Sequence, residues 1–180
     1  MRLDIPIDPS TIPTAQEKGV RILKVKGKSV PMFYKAAALK AFEKQLSDYL
    51  TPLYPRLRIP EGKAAYVHIT YLFPYPKSTP KRDRIDMARM VRRPDGDNLS
   101  KALIDNLCDL YRKDNTTKKW YVAQRRFIPD DGAVNPLVIS KFRTTKEPKV
   151  VVTIRVQEDN PNLTLTQPLP NPYEGVHTML

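Results

Sequence analysis

Residues 92–101 place two carboxylates where a basic segment meets the start of a helix. The stretch reads Arg-Arg-Pro-Asp-Gly-Asp-Asn-Leu-Ser-Lys, and Asp95 and Asp97 flank its glycine. Apolar residues then recur at helical spacing, which predicts a helix over residues 97–112. Any fold of this chain therefore has to bury one side of that helix while keeping the two aspartates at its first turn.

The predicted helix has an apolar face and a polar face. Its leucines recur every three or four residues: Leu99, Leu103, Leu107 and Leu110. At about 100° per residue, Asp97, Lys101 and Asp105 fall one turn apart on the opposite face. That face is either exposed to solvent or the floor of a polar site.

The remaining pattern predicts a mixed α/β (α+β) fold. An apolar stripe and several alanines predict a second long helix over residues 33–50. Strand-like runs lie at 2–7, 20–25, 64–73, 137–142 and 150–156, and 64–73 is expected to be central. The other connections read as irregular: 8–31 apart from the extended piece at 20–25, 74–94 (with at most a short helix at 85–90), and 113–129, which reads as a loop or small excursion. We predict one domain, residues 1–156, in which a small mixed sheet packs against two main helices, and a proline-rich, flexible tail at 157–180.

The charge balance favours a polyanionic partner. The 180 residues include 31 Lys and Arg against 19 Asp and Glu, a formal net charge of +12. Nucleic acid is the commonest partner of such a chain, although a merely basic surface has the same composition. Cys108 is the only cysteine, which excludes an internal disulfide and fits a reducing compartment. No apolar run is long enough for a membrane span and no signal sequence is evident, so we expect a cytoplasmic protein.

Basic residues surround the acidic motif along the chain. Those that we predict to contact DNA are Arg92, Arg93, Lys118, Lys119, Arg125, Arg126 and Lys141. Between residues 113 and 129 the cations are interleaved with aromatic residues, a pattern that is suited to binding the backbone and the unstacked bases of a nucleic-acid strand. A hydrophobic flap with a wet exterior has the same pattern, and a run of charge is often only a solvated surface.

The aspartates are candidate ligands of a divalent metal. Mg²⁺ prefers hard oxygen ligands and is commonly held by a few carboxylates and a substrate phosphate, and Mn²⁺ is a plausible substitute. Asp95 and Asp97 would supply two carboxylates, and Asp131 or its neighbour Asp130 a third from another element. Such a metal activates a water for phosphodiester hydrolysis, and Lys101 would stabilise the charged phosphate.

Two considerations limit the chemistry that the motif supports. Asp-Gly-Asp-Asn is also a good turn and helix-capping sequence, in which Asp97 satisfies free backbone N–H groups. The chain has no glycine-rich phosphate loop, no nucleophile elbow and no Cys/His zinc spacing. His68 lies inside a predicted strand and is interpreted as a structural residue. We therefore expect no organic cofactor and no small-molecule substrate.

At these motifs the chain resembles the RusA-like family of Holliday junction resolvases. The family's helix start is Asp-x-Asp-Asn-Leu-x-Lys, which this chain matches at residues 95–101, and an aspartate follows on the helix at Asp105. A later Asp-Asp pair and a lysine correspond to residues 130–131 and Lys141. The resemblance covers residues 1–156 and implies an endonuclease domain there.

The resemblance implies an activity and a set of site residues. It implies a Mg²⁺-dependent endonuclease that acts as a homodimer and makes paired nicks in four-way DNA junctions, in recombination or repair and in a phage or prophage context. It assigns the catalytic carboxylates to Asp95, Asp97 and Asp131, and a catalytic lysine to Lys101. A dimer would match the symmetry of the substrate, because two sites must cut two strands of like polarity.

Selectivity for junctions stays open at this level. The segment between Asp105 and Asp130 is longer than we expect for compact members of the family. One alternative is a less selective metal-dependent nuclease acting on forks or flaps. Another is a branched-DNA-binding protein that lacks catalysis.

Overall fold

A computed structural model describes residues 1–13, 18–25, 28–54, 58–92 and 94–157. In chain order the elements are β1 (Arg2–Ile5), β2 (Lys18–Val25), β3 (Lys28–Lys35), α1 (Ala37–Leu50), β4 (Ala65–Pro74), β5 (Ala88–Arg89), α2 (Gly96–Leu107), β6 (Leu110–Lys113), β7 (Trp120–Gln124), β8 (Val134–Thr144) and β9 (Lys149–Val156). Single turns of 3-10 helix lie at Pro9–Thr11, Thr51–Leu53, Lys81–Asp83 and Asp131–Ala133.

Five strands form the main sheet, in the order β1-β9-β4-β8-β5. β4 pairs with β8 in parallel, and the other neighbouring strands are antiparallel. β4 is thus the central strand, as the sequence predicts, and its inward side chains from Ala65 to Phe73 are buried. Parallel neighbours need a long crossover connection, and here that crossover contains α2. The prediction of a small mixed sheet with two main helices is confirmed.

Both helices pack against one face of this sheet and share its core. The predicted apolar stripe of α1 is buried at Leu39, Phe42, Leu46 and Leu50. α2 buries its leucines from Leu99 to Leu107 in the same core. Because the apolar stripe of α2 faces the sheet, its polar stripe is left on the outside.

β2 and β3 form an antiparallel pair where the sequence predicts a mostly irregular segment and the start of a helix. β2 and β3 pair along their whole length. α1 therefore begins at Ala37, later than the predicted start at Phe33. The helix prediction began too early because pairing with a neighbouring strand overrides the weak local preference of these residues.

Helix α2 ends at Leu107, before the predicted end at Arg112. The next residues form β6, which pairs with β7 in a second hairpin. The prediction of an irregular connection at 113–129 was therefore wrong at Lys113 and at Trp120–Gln124, which lie in strands. Within residues 85–90 the short strand β5 takes the place of the short helix considered from the sequence.

Gln157 follows β9 and is the last residue that the structure describes. Gln157 donates a backbone hydrogen bond to the carbonyl oxygen of Ala64 at 2.8 Å, and the predicted tail beyond it lies outside the described residues. Among the residues that are described, none of the helices combines the length and the apolar character that crossing a membrane requires.

Candidate functional site

Asp95 and Asp97 lie at the exposed start of α2. Asp95 is the residue at the N-cap position, and Asp97 is in the first turn. The carboxylate of Asp95 makes no capping hydrogen bond, so the helix does not use it. The alternative interpretation, in which Asp97 is the cap, is wrong because Asp95 holds that position. The positive end of the helix dipole makes this a favourable place for acidic residues.

Gly96 allows the helix start to approach β8 closely. A Cβ atom on this residue would lie 2.6 Å from Cγ2 of Ile139. That distance is shorter than side chains tolerate, because packed interiors leave no room for overlapping carbon atoms. The glycine between the two aspartates is therefore required by packing, and it fixes where both carboxylates lie relative to the sheet.

Lys141 of β8 holds the segment that precedes the helix. Its ammonium group donates hydrogen bonds to the carbonyl oxygens of Arg92 at 3.1 Å and Pro94 at 2.9 Å. Lys141 is half-buried, and its two bonds tie the loop before Asp95 to the sheet. The structure thus gives Lys141 a positioning role, whereas the sequence predicted a direct contact with DNA.

The polar face of α2 is exposed, as the sequence predicts. Asp97, Lys101 and Asp105 are all exposed, whereas Ser100 on the inner face is buried. The Ser100 hydroxyl donates to the carbonyl oxygen four residues earlier at 2.7 Å and lies 3.0 Å from the hydroxyl of Tyr71 in β4. These contacts fix the first turn of the helix on the central strand.

The two members of the second acidic pair have different environments. Asp130 caps the short helix Asp131–Ala133, and its carboxylate accepts a hydrogen bond from the backbone N–H of Ala133 at 3.1 Å. Asp131 is exposed, and its carboxylate takes no part in that cap. Asp130 is exposed as well, so solvent reaches both carboxylates, and the assignment of Asp131 implied by the resemblance stays a prediction.

Helix α2 separates the two acidic motifs within one chain. Its start lies against Ile139, and its last residue accepts a backbone hydrogen bond from Ile128 at 3.1 Å. The 12 residues between these points span about 18 Å. Among the described residues, no three Asp, Glu, His or Cys side chains lie close enough to hold a metal ion. The predicted set of Asp95, Asp97 and Asp131 is therefore not assembled within a single chain.

The second acidic motif lies beside the buried thiol of Cys108. Burial, followed by the carboxylates of Asp131, Asp105, Asp130 and Asp109, raises the pKa of Cys108 to about 12. The four carboxylates thus surround the end of α2. A thiol with this pKa stays protonated at neutral pH, so Cys108 is unsuited to be a nucleophile.

A buried ion pair closes the base of the β6–β7 hairpin. Arg58 donates two hydrogen bonds to the carboxylate of Asp109, at 2.6 and 3.0 Å. Asp109 also accepts from the backbone N–H of Arg126 at 2.6 Å, and its own N–H donates to the carbonyl of Ile128 at 2.9 Å. Sequence reasoning missed this pair because its two members are 51 residues apart, and no local pattern joins them.

Sequence comparison places this chain in a known family. The model of the family described as endodeoxyribonuclease RusA matches residues 9–155, most of the chain. The chain belongs to the RusA family. A search of curated protein sequences returned no match. RusA proteins are endodeoxyribonucleases, so the chemistry of this family is hydrolysis of phosphodiester bonds within DNA.

The basic residues predicted to contact DNA occupy different environments in this RusA-family chain. Arg92, Lys118, Lys119 and Arg125 are exposed, as contact with phosphate requires. Arg93 lies outside the described residues. The exposed residues belong to the loop before α2 and to the β6–β7 hairpin with the segment that follows it. Positive charge therefore lies next to both acidic motifs along the chain.

Arg126 is the exception among these residues because it is buried, with 6 % of its surface exposed. Its guanidinium donates to the carbonyl oxygen of Asp105 at 3.0 Å and lies 5.8 Å from the centre of the Tyr54 ring. It also donates to the side chain of Gln124. We therefore correct the prediction that Arg126 contacts DNA, since its side chain supports α2 and the hairpin. Charge alone could not distinguish it from the exposed Arg125.

A shallow cavity borders the helix start of the RusA-family domain on the sheet side. It has a volume of about 350 Å³, and its lining includes Arg89, Ile139 and Lys141. Ile139 also contacts the helix start, and Lys141 holds the loop before it. The cavity therefore shares Ile139 and Lys141 with the packing that positions the helix start.

Proposed function

We propose that this RusA-family chain is a Mg²⁺-dependent endonuclease that cuts four-way DNA junctions and works as a homodimer. One observation carries the proposal. Asp95 and Asp97 are exposed at the first turn of α2 and are held there by the close packing of Gly96 and by Lys141. A carboxylate pair that the fold positions in this way, and leaves facing solvent, suits a charged substrate that arrives from outside.

The donor set at the helix start fits a hard divalent cation. Asp95 and Asp97 would hold Mg²⁺ or Mn²⁺, because such ions are usually bound by one or two carboxylates, waters and the substrate phosphate. When bound, the metal supplies charge neutralisation at the phosphate and an activated water. No buried histidine or thiol competes for the ion in the described part of the site, where Cys108 stays protonated.

The chain's own residues complete the chemistry on the polar face of α2. Lys101 is exposed one turn beyond Asp97, where its ammonium group can donate to the oxygens of a phosphate lying along the helix. Donors fixed before the reaction stabilise the charge that develops in the transition state. Exposed cations such as Arg92 would contribute affinity through phosphate contacts, so binding should weaken steeply as salt is raised.

The proposal is tested by cleavage of a labelled four-way junction. We expect wild-type protein to cut in Mg²⁺, and Asp97→Asn and Asp131→Asn to bind the junction without cutting it. Asp48→Asn is the matched control, because Asp48 is an exposed carboxylate on α1 that pairs with Lys44. Cleavage that persists in chelator would overturn the metal assignment. Equal cleavage rates on a junction, a fork and a linear duplex would instead favour the less selective nuclease. If the wild type binds the junction without cutting it, the chain is the inactive binder.

A mixing experiment tests the role of Asp131 in the proposed homodimer. Asp131 lies at the far end of α2 from Asp95 within one chain, so its carboxylate reaches the metal only if a second copy supplies it. A mixed dimer of Asp97→Asn and Asp131→Asn subunits would then contain one intact site and nick one strand. No recovery would place Asp131 outside the metal site, and sedimentation measures whether the dimer forms at all.

A further inference from the structure

The β6–β7 hairpin exposes aromatic side chains that the proposed catalytic chemistry does not use. Trp120 is 68 % exposed, Tyr121 50 % and Tyr111 43 %. Four exposed cations accompany them on the same hairpin: Arg112, Lys113, Lys118 and Lys119. Aromatic side chains usually contribute their surface to a core or an interface, so a cluster left outside together with positive charge indicates an anionic partner with a flat apolar face.

The strand register places these residues on two distinct faces of the hairpin. Lys113 pairs with Trp120 and Tyr111 with Val122. Paired residues of antiparallel strands point to the same side, and residues two apart on a strand share a face. Trp120, Val122, Tyr111 and Lys113 therefore form one face, which we name the tryptophan face. Tyr121 lies on the opposite face.

The tryptophan face is turned toward the second acidic motif. The hydroxyl of Tyr111 donates to the carbonyl oxygen of Pro129 at 3.4 Å, and Pro129 directly precedes Asp130. Trp120 lies beyond Val122 on the same face, about 7 Å further along the strand. An aromatic platform thus extends outward from the turn that carries Asp131.

The hairpin is held in shape at both ends. At its base Asp109 is fixed by the ion pair with Arg58. At its tip the carboxylate of Asp114 accepts backbone hydrogen bonds from Thr116 at 2.6 Å and Thr117 at 2.8 Å. Lys118 follows with a positive φ of 59°, a conformation that turns the chain back and that non-glycine residues adopt rarely. A platform that is ordered before binding loses little entropy when a ligand arrives.

We propose that the tryptophan face stacks an unpaired DNA base at a branch point, with the neighbouring lysines contacting the adjoining phosphates. Bases inside a duplex are already stacked and cannot present a free face, whereas a branch or a single-stranded segment can. Stacking on aromatic side chains combined with a positive groove is how proteins bind unpaired strands without reading their sequence. The inference rests on the proposed nuclease function, because it names the feature of the DNA that the hairpin would select.

Trp120 is the only tryptophan of the chain, so its fluorescence reports on this face alone. The titration is performed with full-length protein in chelator, so that the DNA stays intact, while the anisotropy of a label on the DNA measures binding. We expect quenching by oligothymidine and by a forked or four-way DNA, and little quenching by a blunt duplex bound to the same extent. Equal quenching by the bound duplex, or no quenching by oligothymidine, would overturn the proposal.

Paired substitutions on the two faces provide the second measurement. We expect Trp120→Ala to weaken binding of oligothymidine and forked DNA by roughly 5- to 150-fold, the equivalent of one stacked base, and to leave duplex binding unchanged. Trp120→Phe should keep most of the affinity. Tyr121→Ala is the matched control, since it removes an exposed aromatic from the other face, and it should change affinity less than about twofold. An equal loss in Tyr121→Ala would contradict the assignment of the face.

Sedimentation and junction cleavage distinguish base stacking from a contact between copies of the chain and from a failure of the nuclease function. If Trp120→Ala converts a dimer to a monomer in sedimentation, the face is a contact between copies and the proposal fails. Junction cleavage in Mg²⁺ is measured in parallel with wild-type protein. Cleavage without quenching would overturn the hairpin inference alone, and quenching without cleavage would overturn the proposed function alone.

Discussion

Gly96 and Ile139 are packed so closely that a single added carbon atom would bring them to 2.6 Å. The contact joins the glycine of the Asp95-Gly96-Asp97 motif to the middle of β8. It is a steric reason for glycine at the first position of α2. The position of the two carboxylates therefore depends on what the facing strand allows.

The first prediction concerns this contact. Gly96→Ala should push the start of α2 away from β8, lowering the free energy of unfolding by about 1–3 kcal/mol and the rate of DNA cleavage by roughly 100-fold. Urea unfolding and a cleavage assay measure the two effects. Ile139→Ala removes the clashing Cγ2, so the double variant should be more active than Gly96→Ala alone. Additive losses in the double-mutant cycle would show that the clash does not govern the motif.

The second prediction concerns Lys141, which the structure makes a positioning residue. Lys141→Met keeps the length of the side chain but loses both hydrogen bonds to the loop before Asp95. We expect a fall in the cleavage rate of roughly 100-fold, with little change in the salt dependence of junction binding. Lys146→Met is the control, because Lys146 is an exposed lysine that pairs with Asp86 at 3.6 Å. A shallower salt dependence in Lys141→Met would instead indicate a phosphate contact.

The third prediction concerns the ion pair at the base of the hairpin. Asp109→Asn leaves the guanidinium of Arg58 without its buried partner, which should lower the free energy of unfolding by about 3–5 kcal/mol. Asp48→Asn breaks an exposed ion pair on α1 and should change the free energy of unfolding by less than about 1 kcal/mol. Denaturant midpoints compare the two variants. Similar small effects would mean that the Arg58–Asp109 pair does not anchor the hairpin.

The fourth prediction concerns alkaline pH. Burial raises the pKa of Tyr54 from 10.0 to about 12, although the Arg126 guanidinium lowers it. The unfolded chain therefore releases the phenolic proton first, and stability that is fully present below pH 10 should be lost as the pH rises toward 12. Tyr54→Phe removes this contribution and should show a shallower decline. Denaturant midpoints of the wild type and of Tyr54→Phe, measured from neutral to alkaline pH, test this prediction. If the two midpoints decline in parallel, Tyr54 is not the cause of the alkaline loss of stability.

Local periodicity predicted the elements whose burial depends on their own pattern. The stripe from Leu39 to Leu50 and the leucines of α2 are buried as expected, and so is the central strand. The errors occurred where a distant partner decides the structure. Phe33 continues a strand because β2 lies beside it, and Tyr111 leaves the helix because it pairs with Val122. Neither partner is visible in the spacing of nearby apolar residues.

The sequence supplies candidate site residues, whose roles stay a prediction, and it does not supply their geometry. The motif at residues 95–101 and the second acidic pair are recognisable because their order along the chain is distinctive. The separation of Asp97 from Asp131 follows from the antiparallel course of α2 and β8, which the sequence does not specify. Arg126 is a second example, because the sequence of a run of cations does not indicate which of its side chains is buried.

At the base of the β6–β7 hairpin, backbone hydrogen bonds join the residues that precede the hairpin to those that follow it. Asp109 and Ile128 are linked by a backbone hydrogen bond, and Ile128 donates in turn to Leu107. Residues 110–124 can therefore be regarded as an exchangeable insert, closed off beneath by the main chain itself. With such an arrangement the hairpin could be lengthened, shortened or replaced while the acidic motifs on either side keep their places.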